Sequence, residues 1–246
     1  MRHILPDDML SRRDPMQSPR AGGVRYNPQS AGFTPQVFST PATSVSVTLP
    51  TRSIGDRLRL FLTRSSANTD LLATPSGWTA LDTSGLTGSA SSFTRVYYQD
   101  VTAGNVATAT ADFTGGTSSE SVSLIERLTG CDLSVAPVAN GVAQGSNTTT
   151  VDPASLTGPN GGTVQRNLWT VYCGTSVQDS LNGATPTVTG FPATYGNTGT
   201  STTTDAGATA NGCGQGWGNK ATSAGSDNPA AFTYCPTNTG RAFAIV

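Results

Sequence analysis

From Gly55 to Asp100 the chain keeps a two-residue rhythm that a helix cannot use. Leu58, Leu60 and Leu62 fall on one side of an extended segment, with Arg57, Arg59 and Phe61 on the other. Successive strand side chains point to opposite faces, so this run reads as a strand with one face on a core. Arginines at alternate positions suit a solvated opposite face. The Pro75-Ser76-Gly77 turn then delivers Trp78, placed to cap the core of a sandwich. Thr94 to Asp100 follows as a strand, with Val96 and Tyr98 opposite Arg95 and Tyr97.

The same rhythm recurs along the chain. Thr43–Leu49 alternates with Val45, Val47 and Leu49 on one face, and Pro50 stops it. Val106–Phe113 sets Ala107, Ala109, Ala111 and Phe113 against Val106, Thr108 and Thr110. Ser121–Leu128 follows and ends at Gly130. Asn167–Cys173 is apolar on both faces, the pattern of a central strand. Ala231–Tyr234 and Arg241–Val246 close the chain. Roughly eight to ten strands at this spacing, with no alternating helical pattern, predict an all-β fold. The expected architecture is a two-sheet β-sandwich, jelly-roll or immunoglobulin-like, over residues 41–246. Residues 174–230, rich in Gly, Thr and Asn, read as a long loop on that scaffold.

Residues 1–40 differ. Arg2, Arg12, Arg13, Arg20 and Arg25 alternate with Pro6, Pro15, Pro19, Pro28 and Pro35, with no apolar period. Prolines block helix and central strand alike, and so few apolar residues cannot drive ordering alone. An extended arm that orders on a partner is expected. The first residues contain acids and a proline, so no secretory signal is expected, and no stretch approaches the ~18 apolar residues of a membrane span. Net charge is −1 and charged residues make up only 12% of the chain, so nucleic acid is not expected as the main partner.

Catalytic chemistry finds little support. The lone histidine, His3, lies in the arm, leaving no base for a serine nucleophile and no zinc ligand set. The lone lysine, Lys220, has no partner pattern for a Schiff base. Glu120 and Glu126 are the two glutamates; pairing with Asp100 or Asp112 as a glycosidase couple is weighed against their being surface carboxylates, and the latter is expected. Cys131, Cys173, Cys213 and Cys235 show no CxxC spacing. Buried free thiols are expected; of the possible disulfides, Cys213 with Cys235 is the favoured pair. No cofactor, metal or catalytic residue is assigned. Phe191, Tyr195 and Trp217, set among Gly, Thr and Asn, are a candidate glycan-stacking or partner-binding group, against burial of Trp217 under its own loop.

The succession GDRLRLFL, PSGWTALD, FTRVYYQDVTAG, ATATADF, SVSLIERLTG, NLWTVYC, AFTY and RAFAIV resembles β-sandwich modules of bacteriophage virion proteins, of the head decoration and tail types. The resemblance covers residues 41–246. It implies a non-enzymatic structural protein of the virion, made in the host cytoplasm. Its expected role is capsid decoration or cement, with the major capsid protein or other virion proteins as partners and a homo-oligomer, plausibly a trimer, as its state. Arg12, Arg13, Arg20, Arg25, Tyr26 and Phe33 would then contact the neighbouring subunit. The alternative is a tail or fibre component that binds host surface glycans.

Overall fold

The structure, a computed structural model, describes residues 26–65, 72–81, 93–116, 118–158, 166–176, 186–203 and 212–246. Among these residues every regular element is a strand, and no helix is long and apolar enough to cross a membrane. The first half holds β1 (Gln29–Ala42), β2 (Val45–Thr48), β3 (Arg57–Arg64), β4 (Thr79–Ala80), β5 (Phe93–Asp100), β6 (Thr110–Phe113) and β7 (Ser119–Thr129). The second holds β8 (Ala139–Val151), β9 (Leu156–Thr157), β10 (Asn167–Ser176), β11 (Thr187–Gly190), β12 (Gly196–Thr202), β13 (Cys213–Thr222), β14 (Ser226–Asp227) and β15 (Phe232–Ile245).

Two antiparallel sheets pack face to face, giving the all-β sandwich that the alternation predicts. One has the order β1-β7-β3-β5-β4. The other runs β8-β15-β10-β13-β12, with β11 also on β15. These orders are the same path traced twice. Arg59 lies opposite Tyr98 and Glu126, as Thr170 lies opposite Asn219 and Ile245. Val45 faces Phe113 as Val151 faces Phe232. The turns entering β4 and β12 agree as well. Trp78 N donates to Pro75 O at 3.1 Å, and Tyr195 N to Pro192 O at 3.4 Å. The residue before each aromatic has positive φ, 78° at Gly77 and 74° at Thr194. Among the described residues, the two halves, 26–130 and 138–246, therefore follow one strand arrangement and are called modules. The second module fuses what the first keeps apart: β8 does the work of β1 and β2, and β15 that of β6 and β7.

Three apolar layers follow from the alternation. Leu58, Leu60 and Leu62 pack with Val45, Val47, Trp78, Tyr97 and Phe113 beneath the β2–β6 pair. Trp169, Val171 and Cys173 do the same on the outer face of the second sheet with Val188, Phe232 and Tyr234. Phe61, Val96, Leu124, Tyr172, Trp217, Phe243 and Ile245 fill the seam between the sheets. β10 is central, as its two apolar faces predict.

Three expectations are corrected. Arg57 and Arg59 do not lie on a solvated face: they are 5% and 4% exposed, because a second sheet covers them. Residues 29–40, read as arm, pair with β7; Pro35 is compatible because β1 is an edge strand. Residues 174–230 contain β11, β12 and β13 rather than one loop. Two of the glycines of β13 are structural. A Cβ at Gly214 would meet Pro186 O at 1.9 Å, and one at Gly216 would meet Val188 Cγ1 at 2.6 Å, so the chain crossing β13 demands their absence.

The sheets meet closely where β3 faces β10. The registers make Phe61 equivalent to Tyr172 and Thr63 to Gly174. The two rings stack at 4.6 Å with their planes 13° apart. A Cβ on Gly174 would lie 2.1 Å from Thr63 Oγ1 and 2.6 Å from Thr94 Oγ1. Overpacking of this kind typically costs about 1–3 kcal/mol. Gly174→Ala should lower the urea midpoint accordingly, whereas Gly104→Ala, with 3.8 Å to its nearest neighbour, should not. Equal midpoints for the two variants would contradict the close seam.

Candidate functional site

The seam changes character along its length. At one end it is apolar and hydroxyl-lined. Tyr172 OH donates to Gln215 Oε1 at 3.0 Å and lies 2.7 Å from Thr63 Oγ1, which in turn meets Thr94 Oγ1 at 2.9 Å. Gln215 Nε2 donates to Ser123 O and Ser201 Oγ, both at 2.8 Å. Burial pushes the Tyr172 phenol well above its ordinary value, against the Thr63 hydrogen bond and with Cys173 and Cys213 adding to the rise.

At the other end it is ionic. Glu126 has no exposure. Its carboxylate accepts from Thr170 Oγ1 at 2.7 Å and Asn219 Nδ2 at 3.1 Å, and Arg59 Nη1 stands 3.5 Å away. Arg59 Nη1 also donates to Thr170 Oγ1 at 3.1 Å and Leu168 O at 3.4 Å. Burial pulls the Arg59 guanidinium below its ordinary value and Glu126 opposes that. One module supplies the ion pair and the other its hydrogen-bond partners. Next to it, Arg57 holds Asp100 through two bonds, 2.6 and 3.1 Å, and donates to Val135 O at 2.8 Å.

A cavity of about 70 Å³ opens here, lined among others by Tyr26, Arg57, Arg59, Cys131, Asp132 and Arg166. The segment joining the modules forms one wall through Cys131, Asp132, Val135, Ala136 and Pro137. An open cleft of about 480 Å³ shares Pro28 and Arg166 and continues past Ser30, Asn197 and Lys220. Burial raises the Cys131 thiol, and the opposing pull of Arg59 and Arg57 is smaller. A thiol held protonated is a poor nucleophile. Lys220 is held by Asp227 at 2.7 Å and lies 4.5 Å over the Tyr195 ring. Tyr195 OH donates to the same Asp227, and burial followed by that carboxylate pushes its phenol up. Among the described residues no three His, Cys, Asp or Glu side chains gather as a metal site. Arg57 and Arg59 on the cavity wall are already engaged, by Asp100 and Val135 O and by Glu126, Thr170 and Leu168 O.

The sequence-predicted residues scatter. Arg12, Arg13, Arg20 and Arg25 lie outside the described residues. Tyr26 lines the cavity, while Phe33 is half-buried and tilts on Trp217 at 5.9 Å. The aromatic group is corrected. Trp217 is 6% and Tyr195 8% exposed, in two different cores, and Phe191 packs edge-on against Phe232 at 6.2 Å. Trp217 and Tyr195 are spent on packing, and Phe191 is half-buried. Glu120 and Glu126 are likewise buried rather than superficial, because their strand lies between two layers. Asp112 is exposed and accepts from Ser46 Oγ at 2.5 Å, remote from any couple with them. Cys213 is a buried free thiol, which removes the favoured disulfide; Cys173 is also free and buried. The Cys235 side chain lies outside the described residues. Arg57, Arg59, Arg166 and Cys131 were missed as a group. Their sequence signal was a pair of arginines inside an apolar strand of a chain with two glutamates. Comparison with protein-family models, with curated proteins and with solved structures returns no match.

Removing one partner of a buried ion pair typically costs about 3–5 kcal/mol, because the other charge is stranded. Arg59→Met should show a loss of that order in chemical denaturation, and the double variant R59M/E126Q should recover part of it. A double variant as unstable as the sum of both singles would contradict the coupling. Tyr172 gives a pH test. Its raised folded value means that stability is full below the unfolded value, near about pH 10, and is lost as pH rises through the folded one. Tyr172→Phe should flatten the fall in stability above that pH; an unchanged slope would assign the alkaline loss elsewhere.

Proposed function

We propose that the chain is a non-enzymatic structural protein of a bacteriophage particle, of the capsid decoration or cement type. One observation carries the reading. Among the described residues, Glu120, Glu126, Tyr195 and Trp217 are buried in the interior and Arg57 and Arg59 are held in ion pairs, while Tyr26 lines the Arg57–Arg59 cavity. What the protein can offer a partner is surface and an extended chain. A segment such as residues 1–25, rich in Arg and Pro, gains many contacts per residue when it orders on a neighbour. Arg12, Arg13, Arg20 and Arg25 supply charge-assisted bonds to acidic surface on the major capsid protein or another virion protein. Tethering to a rigid two-module body raises the effective concentration of each contact and turns weak interfaces into a clamp. The protein acts in the virion after synthesis in the host cytoplasm.

The tail or fibre reading, with host glycans as ligand, rested on stacking by Phe191, Tyr195 and Trp217. Trp217 and Tyr195 are buried and Phe191 is half-buried against Phe232, so those rings lend it less support than the decoration reading has. Deleting residues 1–25 should leave the melting temperature unchanged and abolish binding to particles. Deleting 1–40 should also remove β1 and expose the edge of β7, so that this variant is destabilised as well. Full decoration by the shorter truncation would sink the clamp.

A further inference from the structure

The two modules guard their sheet edges unequally. An edge strand presents a row of free N–H and C=O groups, and natural proteins blunt it with proline, charge, a bulge or short length. β1 carries Pro35 and Pro41. β4 is two residues long. β12 has a register shift between Gly196 and Gly199, with Asn197 at φ 49°. β8, the counterpart of β1, has none of these over its first half. It runs 13 residues, ANGVAQGSNTTTV, with no proline and no charged side chain. Six consecutive residues, Ala139 to Gln144, pair with β15 without a bulge, and its irregularities lie further on. Among the described residues no strand pairs with its outer side.

The hydrogen-bond phase of this edge is fixed. Val138 and Val246 exchange both backbone bonds, at 3.1 and 3.0 Å. In an antiparallel ladder bonded pairs alternate. Val138, Asn140 and Val142 therefore bond inward, while Ala139, Gly141 and Ala143 turn their N–H and C=O outward. The registers Pro35↔Leu124 and Gly141↔Phe243 make Gly141 the counterpart of Pro35. The first module has a proline at the position where the second leaves an open amide.

We propose that β8 is a strand-addition edge and that its occupant is β8 of a second copy of this chain, paired antiparallel about a two-fold axis. An uncharged strand meets itself without like-charge repulsion, and an antiparallel pair of identical strands is self-complementary and closed. The second sheets of two molecules then form one continuous sheet, while Pro35 keeps the first sheets from doing the same. This holds whatever particle the protein joins, so its failure and the failure of the decoration reading are separable.

Light scattering on a sizing column, with the full chain, should give twice the 25.2 kDa chain mass at high concentration. Gly141→Pro, which installs the β1 guard, should run at the chain mass with an unchanged circular dichroism spectrum. If that variant fails to fold, hydrogen exchange on the unaltered protein decides: amides of residues 139–143 should slow as concentration rises through dimerisation. A monomer at every concentration would overturn the proposal and leave the edge to a strand of a different protein. A dimer that survives Gly141→Pro, or one whose protection maps elsewhere, would overturn it too.

Discussion

A carboxylate with no access to water, Glu126, sits between the two sheets, and the docking of the modules depends on satisfying it. Arg59 comes from the strand beside it, Thr170 and Asn219 from the facing sheet. A buried ion pair adds little net stability, since desolvation offsets attraction. What it does is penalise alternatives. Slide or rotate one sheet and the carboxylate loses two hydrogen bonds in a low-dielectric seam, a loss that no apolar contact replaces. The Phe61–Tyr172 stack and the close approach at Gly174 hold the same register from the apolar end.

Two modules of one strand arrangement explain why the chain needs such a seam. Each module covers its outer core with its own strands, as the β2–β6 pair does over Leu58, Leu60 and Leu62. The inner face of each sheet has no cover of its own. Packing the modules face to face buries both at once, and equivalent positions then meet: Arg59 with Thr170, Phe61 with Tyr172, Thr63 with Gly174. Identical side chains could not fill that space. At the positions where they touch, the two modules carry different residues, Arg against Thr and Thr against Gly. They also differ at the edges, where β1 has Pro35 and β8 has Gly141 at the equivalent position.

Much of this was legible in the sequence and some was not, for physical reasons. The period of two at Leu58–Leu62 and Val45–Leu49 located strands and their core faces, and the doubly apolar run at Asn167–Cys173 located a central strand. Arg57 and Arg59 were misread because a charged residue on a strand face signals water unless a partner is known, and Glu126 lies far along the chain. β13 was misread as loop because glycine at 214, 216 and 218 mimics low complexity; the alternation is there, with Cys213, Gln215, Trp217 and Asn219 between them. Trp217 looked available for the same reason. The repeated topology was hidden because β8 and β15 are continuous where the first half has separate strands, although the turns Pro75-Ser-Gly-Trp78 and Pro192-Ala-Thr-Tyr195 mark the same point in both halves. The cavity could not be read at all, since Tyr26, Arg57, Cys131 and Arg166 meet only through the fold.

Among the described residues Glu120, Glu126, Trp217 and Tyr195 are committed to the interior, and the proposed decoration role rests on what remains for a partner. The most direct measurement is its copy number in purified particles, by quantitative mass spectrometry against the major capsid protein. A decoration role predicts a count that tracks the capsid protein itself. Absence from the particle, or a few copies confined to one vertex or the tail, would contradict it.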